Sequence, residues 1–312
     1  MNYQKILDEA SHQLNLNNIK TPKLDSELIL AKTLDIDREN ILLNLNKEIK
    51  KSLLKKFNYY LNLRKKKIPI EHILNYKFFW KYKFFVDKNV LIPRPETELI
   101  IEKILKILPL SSNKNILDIG TGSGCIAISL MKERPNCRIT AIDKSKKAIK
   151  VAKKNAEIHQ VKKKINFLNI DVDKFFSNKY DFIVSNPPYI KNSELLSLDE
   201  DVKLNEPKLA LFGGCSGLEI FFKVLKKSNK LLKTNGKLIL EIGYRQGKEL
   251  KKYLKLNGFN QIKIYKDLSG KDRCIISSKN SKWTTIKITQ EEIGLGLTAK
   301  EISKKEMEMV IS

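Results

Sequence analysis

The hydrophobic pattern divides the chain into a helical first quarter and a longer part in which strands and helices alternate. Apolar side chains near the N-terminus recur at the 3.6-residue period of an amphipathic helix: Tyr3, Ile6, Leu7, Ala10 and Leu14. Thr21-Pro22 is a cap followed by proline at the first position of a second helix, and residues 52–64 predict a third. We therefore predict a small helical domain over residues 1–75.

An aromatic, β-prone segment follows these helices. We predict a β-hairpin linker over residues 76–95, with its break near Asp87-Lys88-Asn89. Its aromatic cluster is either a stacking surface for nucleic acid or, as is more common for such clusters, the packing of a small sheet. The cluster comprises Phe78, Phe79, Trp80, Phe84 and Phe85.

Apolar strands then alternate with amphipathic helices over residues 96–278. The strands are predicted at residues 115–119, 138–142, 164–170, 180–185, 237–242, 259–265 and 273–277. Alternation at this spacing is characteristic of a doubly wound α/β sheet. The last two strands are joined by a short loop, so they form an antiparallel hairpin. A helix over residues 218–232 is expected to end at Asn235-Gly236, and residues 279–312 form a C-terminal extension of unknown role.

Composition adds a strong positive charge, with 60 Lys+Arg against 35 Asp+Glu and a net charge of +25. The lysines are spread along the whole chain, which indicates a solvated surface that favours an acidic partner over stable nucleic-acid binding. No apolar run is long enough to cross a bilayer, and the N-terminus lacks the pattern of a secretory signal. Four cysteines without a CxxC pair and three histidines are poor material for a metal site. We expect a cytoplasmic monomer without membrane or metal binding.

A glycine-rich loop follows the first strand of the alternating region. Residues 118–124 read DIGTGSG, and glycines at this spacing let the backbone turn tightly and approach a ligand. Asp118 suits a ligand with a cationic amine near the loop. Asp143, which ends the next strand, suits the two hydroxyls of a ribose, and Asp171, after the third strand, suits an adenine amino group. Together they predict a binding site for S-adenosylmethionine.

A rigid turn, Asn186-Pro187-Pro188-Tyr189, follows the fourth strand. Its two prolines fix the backbone at the carboxyl edge of the sheet, where ligands bind in open α/β folds. The Asn186 side-chain carbonyl and the backbone carbonyls of the turn are acceptors that would orient a planar NH₂ group, and Tyr189 can stack on that plane. Since a sulfonium is a strong methyl donor, positioning supplies most of the catalysis. The turn predicts methylation of an amide or exocyclic amine nitrogen, with Asn186, Pro187 and Tyr189 as catalytic residues.

Five motifs together resemble the release factor glutamine methyltransferases, the HemK/PrmC family within the class I S-adenosylmethionine-dependent methyltransferases. The resemblance extends over about residues 1–278. The motifs are LIPRPETE at 91–98, DIGTGSGCIAISL at 118–130, NPPYI at 186–190, EPKLALFGG at 206–214 and LEIG at 240–243. NPPY alone is shared with DNA adenine methyltransferases, whereas PRPETE and EPKLALFGG are far more specific.

The resemblance implies a Rossmann-like, seven-stranded methyltransferase sheet with a small N-terminal helical domain that helps to dock the substrate. That substrate is the glutamine in the GGQ motif of class-one peptide chain release factors, and the products are N5-methylglutamine and S-adenosyl-L-homocysteine. The residues assigned by resemblance to S-adenosyl-L-methionine are Gly120, Thr121, Gly122, Ser123, Gly124, Asp143, Val172 and Asn186. Those assigned to the glutamine amide are Asn186, Pro187, Pro188 and Tyr189. Val172 departs from the aromatic residue that family members often carry beside the adenine.

Three alternatives stay open at this point. Glutamine methylation of a ribosomal protein belongs to a sister family that shares NPPY but usually lacks the PRPETE wording. A DNA adenine N6-methyltransferase would normally need a target-recognition domain, for which residues 1–75 are too short. A catalytically idle RNA- or ribosome-binding module fits the charge, but the intact Asn186 and glycine loop argue against it.

Overall fold

Five helices form the first part of the chain in the computed structural model, which describes residues 1–280. They are α1 (Tyr3–Leu16), α2 (Pro22–Leu34), α3 (Arg38–Leu42), α4 (Lys51–Lys65) and α5 (Ile70–Leu74). The periodic apolar residues predicted to face a core along α1 are all buried. With Phe57 and Leu61 of α4 they belong to one hydrophobic cluster, so these helices bury their apolar faces against one another.

The aromatic segment folds into an antiparallel hairpin of β1 (Tyr76–Phe79) and β2 (Tyr82–Phe85). The break was predicted near residues 87–89, and this position is wrong. The turn of the hairpin lies at Trp80 and Lys81, between the two strands. Trp80 takes a positive φ of 57°. Its backbone N–H donates to Glu98 at 2.8 Å and its indole N–H donates to Glu133 at 2.9 Å. Because both acceptors lie far along the chain, local sequence did not reveal this turn.

Seven strands form the central sheet, in the order β5-β4-β3-β6-β7-β9-β8, and β9 runs antiparallel to both of its neighbours. The strands are β3 (Asn115–Ile119), β4 (Arg138–Asp143), β5 (Ile165–Asn169), β6 (Tyr180–Ser185), β7 (Leu232–Glu241), β8 (Phe259–Lys266) and β9 (Asp272–Lys279). The helices of this part are α6 (Glu98–Ile107), α7 (Cys125–Glu133), α8 (Lys146–Ile158), α9 (Glu200–Asn205), α10 (Lys208–Leu211), α11 (Glu219–Leu231) and α12 (Gly247–Leu256). The predicted α/β sheet and its final antiparallel hairpin are confirmed.

The two faces of the sheet carry separate hydrophobic clusters, because successive side chains of a strand point to opposite faces. Ile116 of β3 belongs to the cluster with residues of α6, α7 and α8, whereas its neighbour Leu117 belongs to the cluster with residues of α11 and α12. Helices therefore cover both faces. None of the helices within residues 1–280 is long and apolar enough to cross a membrane.

One predicted helix end is wrong. The helix was expected to end at Asn235-Gly236, but α11 ends at Leu231 and both residues lie inside β7. The pairing of β7 with β6 shifts register between Tyr180 and Phe182, so extra residues of β7 bulge from the ladder. A turn-forming Asn-Gly pair thus marks a bulge here. Of the predicted C-terminal extension, residues 279–312, Lys279 is the last residue of β9, and residues 281–312 lie outside the described part of the chain.

The register of the sheet brings the predicted site to one edge. Ile119 of β3 pairs with Ile142 of β4 and with Ser185 of β6, so the next residues of all three strands emerge at the same level. Leu240 of β7 pairs with Ser185, which continues this level to a fourth strand. From β3 the chain moves to β4 on one side, while β6 flanks β3 on the other. This is the topological switch point at which open α/β sheets bind ligands.

Candidate active site

The glycine loop between β3 and α7 has a left-handed backbone at three positions. The φ angles are 73° at Gly120, 56° at Gly122 and 81° at Gly124. A Cβ atom added at Gly120 or Gly122 would meet nothing within 4 Å, whereas one at Gly124 would lie 2.9 Å from the Ile128 side chain. The first two glycines therefore border open space, and the third is required for packing at the start of α7.

Asp143 ties this loop to the end of β4. One of its carboxylate oxygens accepts from the Gly122 N–H at 3.0 Å, and the other accepts from the Ser145 N–H at 2.8 Å. Burial raises the pKa of Asp143, although both N–H donors oppose the shift. Each carboxylate oxygen has a second lone pair, so the group can still accept the two hydroxyls of a ribose.

Asp118, the last acidic residue before the loop, is fully buried. Its Oδ2 accepts from the Thr121 hydroxyl at 2.6 Å, while its Oδ1 has no hydrogen-bond partner among residues 1–280. Burial, with a smaller contribution from the Asp143 carboxylate, raises the pKa of Asp118 to about 7, although the Thr121 hydroxyl and, more weakly, the Ala127 N–H oppose the shift. A buried carboxylate with an unsatisfied oxygen is stabilised by a nearby cation. The loop thus fits a ligand with positive charge.

Asp171 lies two residues beyond β5 and has local partners. Its Oδ1 accepts from the Asp173 N–H at 3.1 Å and caps a short 3-10 helix, and its Oδ2 pairs with Lys144 at 3.1 Å. Burial raises the pKa of Asp171, but these donors outweigh it and the net shift is downward. Val172 is half-buried against the hydrophobic cluster on one face of the sheet. Asp171 is therefore engaged in the protein itself, and Val172 offers an apolar surface.

Asn186 begins the turn after β6 and is half-buried. Its Nδ2 donates to the Thr97 hydroxyl at 3.1 Å, and no group among residues 1–280 donates to its Oδ1. Pro187 is buried, while Pro188 and Tyr189 are half-buried. The Tyr189 hydroxyl donates to Glu241 at 3.2 Å, and burial together with this carboxylate raises the pKa of Tyr189. The side-chain carbonyl of Asn186 is therefore a free acceptor among the described residues, and its predicted contact with a substrate amide stays a prediction.

Three residues next to this turn were missed by the sequence analysis. Thr97 donates to Glu241 at 2.5 Å, and Arg273 donates to the Tyr189 hydroxyl at 3.2 Å. Thr97 and Glu241 are each only 2% exposed. A signal was present, because they belong to the PRPETE and LEIG motifs that carry the resemblance.

The two most specific motifs also contact each other. Arg94 of PRPETE donates to Glu206 of EPKLALFGG at 2.5 Å, and the Ile92 N–H donates to the same carboxylate at 3.3 Å. Burial raises the pKa of Glu206, and Arg94 opposes the shift. This ion pair holds the segment before α6 against the segment that follows the Asn-Pro-Pro-Tyr turn.

The N-terminal helices contact that same segment. Arg64 of α4 forms an ion pair with Asp201 of α9 at 2.7 Å, and Lys20 forms one with Asp199 at 2.7 Å. The Asn205 side chain donates to a backbone carbonyl beside α4 at 3.0 Å. The helical part of the chain is therefore attached to the polypeptide that leads away from Asn186.

Two family models match the sequence. The model described as PrmC N-terminal domain matches residues 5–74, and the model described as Methyltransferase small domain matches residues 96–200.

Curated relatives match most of the chain. It is 36% identical over 298 residues to the release factor glutamine methyltransferase of Fusobacterium nucleatum, covering 94% of this chain and 83% of that protein. It is 37% identical over 291 residues to the bifunctional methyltransferase of Rickettsia typhi, covering 87% of this chain and 56% of that protein. The chain thus spans about half the length of the bifunctional relatives.

A solved structure shares the fold. The hMettl16 catalytic domain in complex with MAT2A 3'UTR hairpin 6 superposes with a TM-score of 0.50 at 18% identity. The match covers 65% of this chain and 77% of that chain.

Proposed function

Because the chain belongs to the family of release factor glutamine methyltransferases, we propose that it methylates the side-chain amide nitrogen of the GGQ glutamine in class-one peptide chain release factors, using S-adenosylmethionine. The free side-chain carbonyl of Asn186 carries this proposal. It lies on a proline-fixed turn at the switch point of the sheet and has no donor within the described chain. An acceptor held in this way suits a substrate that brings its own N–H groups.

The glycine loop and Asp143 would hold the cofactor. Gly120 and Gly122 leave open space in which the cofactor can approach the loop backbone closely. The Asp143 carboxylate would accept hydrogen bonds from the two ribose hydroxyls. Asp118 would supply negative charge beneath the loop, and Val172 an apolar surface for the adenine. When bound, S-adenosylmethionine supplies an electrophilic methyl group next to a sulfonium charge. The open loop and the unsatisfied Asp118 oxygen fit this group.

The Asn-Pro-Pro-Tyr turn would hold the substrate amide. Asn186 Oδ1 and the Pro187 backbone carbonyl would accept its two N–H groups, and the Tyr189 ring would lie against its plane. These contacts would orient the nitrogen toward the methyl group at the glycine loop. Holding the amide nitrogen and the methyl group in this geometry increases the rate, because the reaction no longer depends on a chance encounter in the right orientation.

The N-terminal helices would dock the release factor. Their attachment to α9 through Arg64 and Asp201 supports this role, because α9 follows the Asn186 turn along the chain. A protein that binds the helices would therefore present a loop to the turn at a fixed distance. The net charge of +25 favours an acidic docking surface on that partner.

The test is methylation with labelled S-adenosylmethionine and three acceptors: a class-one release factor, ribosomal subunits and duplex DNA. We expect label on the release factor alone. Label on a ribosomal protein or on DNA would replace the proposed substrate but keep the transfer to an amide or amine nitrogen. Cofactor binding without label on any acceptor would contradict the proposed activity.

A further inference from the structure

A chain of hydrogen bonds lies behind the Asn-Pro-Pro-Tyr turn and links its first and last residues. Asn186 donates to Thr97 at 3.1 Å and Thr97 donates to Glu241 at 2.5 Å. Tyr189 donates to the other oxygen of Glu241 at 3.2 Å, and Arg273 donates to the Tyr189 hydroxyl at 3.2 Å. The two turn residues that face the substrate amide thus share one carboxylate.

The Glu241 carboxylate sets the direction of the hydrogen bonds that connect it to Asn186 through Thr97. Burial raises the pKa of Glu241, and the Thr97 hydrogen bond, the Arg273 charge and the Tyr189 hydrogen bond oppose that shift by stabilising the ionised form. In this form Glu241 can only accept, so the single hydroxyl hydrogen of Thr97 must point at it. The Thr97 oxygen can then only accept from its other neighbour, which must be the NH₂ end of the Asn186 amide. The C=O end of that amide is consequently turned away from Thr97. Without this constraint the two ends of the Asn186 amide would be nearly interchangeable in shape.

We propose that Thr97 and Glu241 are positioning residues. They fix the orientation of the Asn186 amide, so that its carbonyl oxygen points to the substrate, and they hold the Tyr189 side chain in place. This inference rests on the proposed methylation of an amide nitrogen. The wrong facing would present NH₂ to the substrate NH₂, so two donors would oppose each other. Both residues are nearly inaccessible to solvent, which excludes water as a competing partner for the bonds they make.

Three substitutions separate this role from a merely structural one. Thr97→Val keeps the shape but removes the hydroxyl, and Thr97→Ser keeps the hydroxyl but removes a methyl group. Glu241→Gln keeps the shape but replaces one of the two acceptor oxygens with an NH₂ donor, so either Thr97 or Tyr189 loses its acceptor and the turn residue it fixes is released. Ser228→Ala and Glu102→Gln are matched controls, since Ser228 is buried in α11 and donates only within its own helix, and Glu102 pairs with Lys106 on α6.

The first readout is steady-state methylation of a release factor. We expect Thr97→Val and Glu241→Gln to lower kcat about ten- to a hundredfold, as for a misplaced reacting group, with little change in the Kd of S-adenosylmethionine. Thr97→Ser should restore most of the rate, and both controls should keep wild-type kcat. Wild-type kcat in Thr97→Val or Glu241→Gln would overturn the inference.

The second readout needs no acceptor protein. In the ¹⁵N-labelled full chain, the side-chain amide resonance of Asn186 is identified by its loss in Asn186→Asp. We expect its N–H exchange with water to be slow in the wild type and in Thr97→Ser, and fast in Thr97→Val. In Glu241→Gln the exchange becomes fast when the new NH₂ group faces Thr97. Equal exchange in all four proteins would overturn the inference. If the wild type does not methylate release factors, the proposed function fails, and this resonance still decides the role of Thr97 and Glu241.

Discussion

Arg64 of α4 donates a hydrogen bond to Asp201 of α9 at 2.7 Å, across 137 residues of sequence. The same guanidinium donates to the buried Asp25 at 2.6 Å and to the Ile68 carbonyl at 3.0 Å. Arg64 therefore both completes the interior of the helical part and attaches it to the chain beyond Asn186. The two contacts differ in burial, because Asp25 is 1% exposed and the Asp201 side chain is 29% exposed.

This difference predicts unequal effects of removing the two partners. Arg64→Met leaves the carboxylate of Asp25 buried beside an apolar side chain, and should lower the free energy of unfolding by about 3–5 kcal/mol. Asp201→Asn removes the partner whose side chain is 29% exposed and leaves Arg64 paired with Asp25, so it should cost less, about 1 kcal/mol. Denaturant unfolding measures both. Equal losses in the two variants would contradict this account of Arg64.

Gly124 should tolerate alanine worse than Gly270 does. Both have a positive φ, so both variants carry backbone strain of about 1 kcal/mol. Only at Gly124 would the new methyl group also clash, 2.9 Å from Ile128 and 3.2 Å from Ala152. We expect Gly124→Ala to lower the free energy of unfolding by about 1–3 kcal/mol more than Gly270→Ala does. Equal values in chemical denaturation would show that the helix start adapts to the methyl group.

Asp118 should make cofactor binding and stability depend on pH in opposite directions. Its pKa is raised to about 7, so its charge, and with it the affinity for a cationic ligand, increases as the pH rises from 6 to 8. In the cofactor-free protein the folded state keeps a proton that the unfolded state releases near its ordinary pKa. The free energy of unfolding therefore falls as the pH rises between about 4 and 7.

Asp118→Asn should flatten both profiles, because the amide does not titrate in this range. Calorimetric titration with S-adenosylmethionine and thermal unfolding at several pH values measure them. An affinity profile of Asp118→Asn that still rises between pH 6 and 8 would assign the dependence to another group.

Asp143→Ala should weaken S-adenosylmethionine binding by about 1–3 kcal/mol, through the loss of hydrogen bonds to the ribose and of the bond that shapes the glycine loop at Gly122. Asp173→Ala is the matched control, since Asp173 pairs with Lys223 at the surface nearby. Calorimetry should give the control a wild-type dissociation constant. An unchanged constant for Asp143→Ala would remove Asp143 from the cofactor site.

The sheet and its edge could be predicted from sequence because the signals were local. The apolar strand ending at Ile119, the glycines that follow it and the prolines after Asn186 are each signals of a few consecutive residues. The motifs also predicted the family, which the curated relatives confirm. The seven strands predicted from the apolar pattern form the seven-stranded sheet, which is confirmed as well.

The partners of the site residues could not be predicted, because they are set by packing between distant segments. Thr97 donates to Glu241, which is 144 residues away in the sequence. The turn at Trp80 is held by hydrogen bonds to the carboxylates of Glu98 and Glu133, which belong to two later helices. No periodicity or spacing encodes such pairs. Asp171 shows the converse, since it follows β5 as expected and its carboxylate pairs with the distant Lys144, a contact that the sequence did not reveal. Its predicted contact with the adenine stays a prediction.

The most direct test of the central claim locates the methyl group. A class-one release factor is incubated with S-adenosylmethionine and either the wild-type chain or Asn186→Ala, and peptide fragments spanning the GGQ motif are analysed by mass spectrometry. We predict one methyl group on the glutamine side chain with the wild type, and none with Asn186→Ala although it folds and binds the cofactor. An unmodified glutamine with the wild type, or full methylation by Asn186→Ala, would contradict the account.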